Sequence, residues 1–465
     1  VPRAPGEAAI KPHIFREYDI RARVGQDLDE AGVYRVGRAL GVYFTRQGRR
    51  RLALGRDCRE TSPAWRAVLA QALMDSGLEL LDVGVVPTPV LYFAVRHLKT
   101  DGGIIITASH NPPEFNGFKI CAGPHTLFGE EIQELRRLAE AGAQVSGQGS
   151  LSRKEILPDY LDFLSRQLRL ARPLKVGVDG GHGTAGPVAV ELLRRLGCEV
   201  FPLYCEMDGR FPVHEPDPVV EANLTHLREL VARERLEVGV AYDGDGDRLG
   251  VVGPEGSIIW GDLLLILFAR DILRRHPGAT VIGEVKCSQR LYEDVARHGG
   301  RPVMWKTGHS LIKQKMLEEG ALLAGEMSGH LFFADRYFGY DDALYATGRL
   351  LEILSAAERP LPELLEDLPP AFATPEIRRP CPEELKFEVV ERLKVRLKQQ
   401  QAEFLDLDGV RLLTPEGWGL IRASNTQSVL VLRFEARSPE KLRQLQEFLE
   451  GLLAAELAAL GVPAH

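Results

Sequence analysis

Three aspartates at alternate positions, Asp243, Asp245 and Asp247, close the apolar run 237–243 within Asp243-Gly244-Asp245-Gly246-Asp247-Arg248. The glycines between them let the backbone fold tightly, so the carboxylates can converge on one hard divalent cation. Like charges this crowded repel unless a cation compensates them, which favours a metal site over a solvated acidic turn. An EF-hand opens with similar spacing. Counting Asp243 as its first position, however, puts Arg248 where the invariant Gly belongs and Pro254 where the bidentate Glu belongs, and the reading fails.

A second apolar run, 103–107, leads directly into Ala108-Ser109-His110-Asn111-Pro112. The carboxyl end of a parallel strand is where α/β proteins expose reactive groups, and Pro112 with Gly117 keeps this loop out of regular structure. Ser109 is thus a candidate nucleophile or a serine in a polar turn; His110 is a base or a loop side chain. No GxSxG elbow supports a hydrolase triad. Lys286, Lys306-Thr307-Gly308-His309-Ser310 and Gly325-Glu326-Met327-Ser328-Gly329-His330 each follow an apolar strand pattern. Glu326 and Ser328 could bond sugar hydroxyls, and Lys286, His309 and His330 could meet phosphate or exchange protons. Taken singly, each is also an ordinary structural or surface side chain. Arg422-Ala423-Ser424-Asn425-Thr426-Gln427 offers an arginine with a dense set of donors, either an oxyanion cradle or a polar turn. Arg16, Tyr18 and Arg21 form a similar basic and aromatic cluster, or an exposed patch.

The elements that must position these loops follow from periodicity. Short β-branched runs at 51–55, 103–107, 174–179, 237–243 and 280–286 alternate with amphipathic helices at 130–140, 188–196, 261–274 and 341–357, the pattern of βαβ units feeding a mostly parallel sheet. A Gly/Ser/Gln-rich patch at 143–152 and a turn at 253–256 mark boundaries, and the proline-dense 368–382 reads as a linker. Beyond it come a helix, hairpin-like strands around Gly417 and Gly419, a strand at 428–435 and a helix at 439–460, which together predict an α+β unit.

Composition narrows the classes. The 465 residues suggest roughly three domains, and the 45% apolar share can fill several cores. Lys and Arg number 58 against 65 Asp and Glu, a net charge of −7 that gives no basic field for nucleic acid. The longest aliphatic run, 263–269, falls far short of the ~20 residues a membrane span needs. Prolines and charges occupy 1–20 where a secretory signal would be apolar, so export is not expected. Six cysteines without a CxxC pair read as reduced thiols in the cytoplasm.

The four loops in this order, TASHNP at 107–112, DGDGDR at 243–248, GEMSGH at 325–330 and RASNTQ at 422–427, resemble those of the α-D-phosphohexomutases, most of all the bacterial phosphomannomutase/phosphoglucomutase group. The resemblance runs from Phe15-Arg16-Glu17-Tyr18-Asp19-Ile20-Arg21 to the C-terminal strands. It implies an α/β fold: three similar mixed α/β sheet domains (1–150, 151–253, 254–368) and a smaller C-terminal α+β domain (369–465) around a central cleft. By matched position, Ser109 would carry the transferable phosphoryl group and, with Asp243, Asp245 and Asp247, bind Mg²⁺. His110, Lys119, Arg248, His309 and His330 become catalytic candidates. Glu326 and Ser328 would hold the sugar; Arg422, Ser424, Asn425 and Thr426 the non-reacting phosphate; Tyr18, Arg21, Lys286, His309 and His330 complete the substrate set. Ala22 stands where the family usually has Gly, and His182 in Gly181-His182-Gly183 where Asn is commoner, both outside the four loops.

The implied activity is reversible transfer of phosphate between O1 and O6 of a mannose or glucose phosphate, through a phosphoserine and a hexose 1,6-bisphosphate. Glucose 1,6-bisphosphate would be the activator, and the protein a monomer or weak dimer with neither membrane nor nucleic-acid partner. Phosphoryl transfer chiefly requires alignment of oxygens and neutralisation of charge. One cradle must accept either end of the sugar, so Glu326 and Ser328 should read hydroxyls similarly placed in both poses. Met327 between them resembles the dual-specificity enzymes rather than the glucosamine ones, which more often have Gln. The C-terminal unit is expected to close through 368–382. Two other classes compete: a metal-dependent phosphohydrolase, separated by assay of free phosphate against isomerised sugar, and a non-catalytic sugar-phosphate binder, which would bind without turnover.

Overall fold

The computed structural model describes residues 10–425 and 427–462. Four sheets form among them, and the first three repeat one theme. In the first, strands Arg51–Arg56, Glu79–Val85 and Gly102–Ile106 run parallel, and Gly102–Ile106 then turns back into antiparallel Phe115–Ala122. In the second, Val238–Tyr242 lies parallel to Lys175–Asp179 and returns as Leu249–Val252. In the third, Leu323–Gly325 lies parallel to Thr280–Glu284 and returns as Leu331–Phe333. The paired residues that close the three hairpins are Ile106 with Phe118, Tyr242 with Leu249, and Gly325 with Leu331. The chemically loaded loops are therefore one topological position used three times.

The fourth sheet is antiparallel, with Gly417–Ala423 and Val429–Ala436 at its centre and the Arg422-led loop as their turn. The proline-dense segment expected as a linker also contributes strands: Phe372–Ala373 and Ile377–Pro380 pair along the outer side of Val429–Ala436. Proline is compatible with an edge because its missing N–H faces no partner there, so proline content hid these strands. Likewise, the Gly/Ser/Gln-rich patch runs into Ser150–Arg153, an exposed edge strand paired parallel with Glu79–Val85.

Helices start where capping side chains satisfy the first free N–H groups. Asp29 accepts from Gly32 N at 2.8 Å, Asp342 from Tyr345 N at 2.9 Å, and Ser438, followed by Pro439, from Lys441 N at 3.2 Å. One large apolar core runs through the first three units, joining Phe93, Tyr160, Val178, Phe268 and Leu350. The C-terminal unit has its own core around Val389, Ile421, Leu432 and Leu449, and a small cluster of Val285, Trp418 and Leu420 joins it to the third. Among the described residues no helix is long and apolar enough to cross a membrane.

Candidate active site

All four hairpin turns open onto one cavity, whose wall includes Ser109, Arg248, Glu326, Ser328, Arg422 and Ser424. Ser109 lies in the turn after Gly102–Ile106 in a left-handed conformation, φ +51°. Arg59, almost fully buried, holds this strained turn: its guanidinium donates to the carbonyls of Ser109 (2.8 Å), Asn111 (2.6 Å), Pro112 (2.7 Å) and Phe115 (3.1 Å). Ser109 Oγ donates to Asp243 Oδ2 at 2.5 Å, and His110 Nδ1 lies 3.0 Å from the same Oγ.

Close backbone approach brings the aspartate loop to the serine. A Cβ at Gly244 would come within 2.4 Å of Ser109 O, and Gly246 turns at φ +74°. Asp243 Oδ1 accepts from the backbone N–H groups of Asp247 and Arg248 at 3.0 and 3.1 Å. Asp243, Asp245 and Asp247 are each 0% exposed, with carboxylate oxygens within 4.8 Å of one another. Burial, reinforced by Asp247 and Asp245, pushes the Asp243 carboxyl well above the usual carboxylate range. Burial works the same way on Asp247, but Lys119 and His330 outweigh it and hold that carboxyl low. Lys119 Nζ donates to Asp245 at 2.6 Å and to Asp247 at 2.5 Å. Even so, Asp245 Oδ1 and Asp247 Oδ1 are buried with no hydrogen-bond donor. Unmatched buried carboxylate oxygens, an all-oxygen donor set and the adjacent Ser109 hydroxyl suit a hard cation such as Mg²⁺.

The second and third units meet through an isolated bridge between Arg248 and His330. Arg248 Nε lies 3.1 Å from His330 Nε2, and His330 Nδ1 lies 3.0 Å from Asp341 Oδ2. His309 stacks on His330 with centroids 5.8 Å apart and meets the edge of Tyr18 at 4.9 Å. Burial first, then Lys313 and Lys119, drives the His309 imidazole well below its ordinary value; burial, Arg248 and Arg21 do the same to His110. The same forces favour the neutral form of both rings. Tyr18 is pushed up to about 12 by burial and by Glu326 and Asp19. Arg21 donates to Asp19 at 2.7 Å and also to Asn111.

On the opposite wall, Glu326 Oε1 accepts from Gly308 N at 2.7 Å and Oε2 from Ser328 Oγ at 2.9 Å, fixing a carboxylate and a hydroxyl side by side. Asp408 accepts from both Arg422 Nε and Thr307 N at 3.0 Å, tying the cradle to the third unit. Lys386 donates to the carbonyls of Ser424 (2.6 Å) and Gln427 (3.2 Å), and Asn425 faces the cavity. Thr426, expected in the cradle, lies outside the described residues. Every other expected site residue lines the cavity or stands directly behind Ser109. Arg59, Asp408, Glu376 and Arg378 were not anticipated. None belongs to a loop motif in the sequence, and the proline-rich context of the last two read as a linker.

Family models for phosphoglucomutase/phosphomannomutase match the chain in four pieces: α/β/α domains I, II and III at residues 12–145, 158–256 and 260–372, and the C-terminal domain at 376–452. A phosphomannomutase/phosphoglucomutase of Pseudomonas aeruginosa is 48% identical over 450 residues, 97% of each chain. A phosphoglucomutase of Neisseria gonorrhoeae is 45% identical over 450 residues, covering 96% of this chain and 98% of its own. The crystal structure of a phosphoglucomutase/phosphomannomutase family protein from Burkholderia thailandensis superposes with a TM-score of 0.90 at 42% identity, over 96% of this chain and 98% of that one.

Proposed function

The chain belongs to the phosphoglucomutase/phosphomannomutase family, and on that premise we propose that it reversibly moves phosphate between O1 and O6 of a glucose or mannose phosphate. Ser109 carries the phosphoryl group, and a hexose 1,6-bisphosphate is the intermediate and, as glucose 1,6-bisphosphate, the activator. The observation that carries this reading is the meeting of four loops, one with a serine, one with three carboxylates, one with paired sugar acceptors and one with an arginine cradle, on a single cavity.

The residues suit such a reaction. Asp243, Asp245, Asp247 and the oxygen on Ser109 would hold Mg²⁺, which supplies charge neutralisation at the phosphoryl group. Arg248, its guanidinium kept firmly protonated against burial by Asp217, Asp243 and Asp247, faces the same space and offsets charge as the Ser109 Oγ–phosphorus bond breaks. A sugar hydroxyl forms the new bond to phosphorus and gives up its proton, for which the neutral rings of His309 and His110 are available. Glu326 and Ser328 bond the sugar; Arg422, Ser424, Asn425 and Thr426, with Tyr18, Arg21 and Lys286, hold the phosphate that is not reacting. Lys119 balances the buried carboxylates.

Six free cysteines among the described residues suit the cytoplasm. The decisive experiment is Ser109→Ala. Interconversion of glucose 1- and 6-phosphate should fall by about 10⁴-fold or more, and the phosphate that phosphatase removes from the wild-type protein should be absent. Free phosphate released as fast as isomer forms would instead mark a hydrolase.

A further inference from the structure

A carboxylate inside a cavity that binds phosphate repels its ligand, so its presence needs a reason. Glu376 is such a group. Lys286 Nζ donates to its Oε2 at 2.9 Å and Arg378 Nε to its Oε1 at 2.9 Å, and all three side chains line the active-site cavity. Lys286 follows strand Thr280–Glu284 of the third sheet, whereas Arg378 lies in Ile377–Pro380, an outer strand of the fourth. Glu376 therefore bridges two cations across the two bodies that face each other over the ligand. A second carboxylate near Lys286, Glu284, stands back at 3.9 Å. The donors Glu376 engages are those a phosphate would engage.

The reaction makes this arrangement useful. The cavity presents Arg21, Lys119, Arg248, Lys286, Arg378 and Arg422 to an intermediate with two phosphates, which must leave the cradle, turn and re-enter by its other end. Cations without a competitor would stabilise the seated ligand and raise the barrier to leaving by the same amount. A tethered carboxylate changes this, because a departing phosphate then leaves no buried cation unpaired. Resting on the mutase reading, we infer that Glu376 is an internal competitor for the phosphate cradle, exchanging with the ligand's phosphate on Lys286 and Arg378 so that the bisphosphate can turn. A group that merely held Lys286 in place would act with the opposite sign, since its loss would weaken binding.

Glu376→Gln keeps the shape and removes the charge. Calorimetric titration with glucose 6-phosphate, without added metal, should show Kd falling about tenfold. The kcat of the same variant, measured with Mg²⁺ and glucose 1,6-bisphosphate, should fall by a similar factor, while Glu376→Asp keeps a Kd near the wild-type value. An unchanged or raised Kd in Glu376→Gln, an equal shift in the two variants, or a lowered Kd with full kcat would overturn the assignment. Binding is read without turnover. A wild-type protein that binds but does not isomerise would sink the mutase reading alone, and the sign of the Kd shift would still decide on Glu376.

Discussion

Lys119 shows how a single side chain makes the aspartate cluster tolerable. Three carboxylates at 0% exposure repel one another, and the Lys119 ammonium, donating to two of them, is the buried cation that meets them. Their Coulombic pull keeps it protonated despite the burial that opposes its charge. Lys119→Met strands two buried carboxylates, so unfolding in EDTA should lose about 3–5 kcal/mol relative to wild type. A divalent cation binding the same oxygens can replace the lost charge, and ligands of the folded state stabilise by mass action. Added Mg²⁺ should therefore raise the melting temperature of Lys119→Met by more than that of wild type; equal increments would contradict this account. The four loops were legible in the sequence because their chemistry is contiguous: three aspartates with glycines between them announce a cation without any tertiary information. Arg59 and Asp408 were not legible, since each acts through space on a loop distant in the chain.

At the level of strands and helices, alternation and amphipathic period revealed the parallel strands and the helices between them. They did not reveal that the serine, aspartate, sugar and arginine loops are each the hairpin turn following a sheet strand, because strand partners are chosen by packing. Edge strands at 372–373, 377–380 and 150–153 were masked by proline, glycine and exposure, the very features that edges tolerate. Asp342 illustrates how an element's start can also be a titrating switch for stability. It caps helix Ala343–Ala356 and accepts from Tyr337 at 2.6 Å and Tyr160 at 2.8 Å, the latter on helix Leu157–Gln167 of the second unit. Burial raises its carboxyl from 3.8 to about 6, even though the hydrogen bonds from Tyr337, Tyr345 N and Tyr160 oppose the rise. A folded pKa above the unfolded one means that the protonated form is favoured by folding. Its contribution, of order 3 kcal/mol, is complete below pH 3.8 and lost as the pH rises through about 6. Asp342→Asn keeps a capping oxygen and removes the titration. Denaturant unfolding from pH 4 to 7 should show a fall in wild-type stability that the variant lacks, and parallel profiles would refute the assignment.

Across the whole molecule, the cores divide the labour. One apolar core spans the first three units, which also keep clusters of their own, whereas the core of the C-terminal unit is separate and meets the third at a small apolar cluster of Val285, Trp418 and Leu420 with Met304, Leu407 and Leu413 packed against it. Polar ties supplement this cluster: Asp408 to Thr307, Glu376 to Lys286, and Arg433 to Asp262 at 3.1 Å. Such a joint can open without disrupting either core. The cavity it covers encloses ≈ 70 Å³, well below the ~300 Å³ at which ligand clefts begin, so entry of a hexose phosphate calls for the C-terminal unit to swing outward about 368–371, just ahead of its first strand Phe372–Ala373. In solution the protein should therefore sample forms more open than this one, and substrate should draw them shut as Arg422 meets the non-reacting phosphate. Small-angle scattering should show a smaller radius of gyration with glucose 1-phosphate than without it. Arg422→Ala removes the contact that only the closed form makes, so KM should rise by at least about tenfold, a loss in the range of one charge-assisted hydrogen bond, and the ligand-induced compaction should disappear. An unaltered KM with full compaction would mean that closure is driven from the third unit's side of the cleft, by Lys286 and Glu326, and that the cradle follows rather than leads.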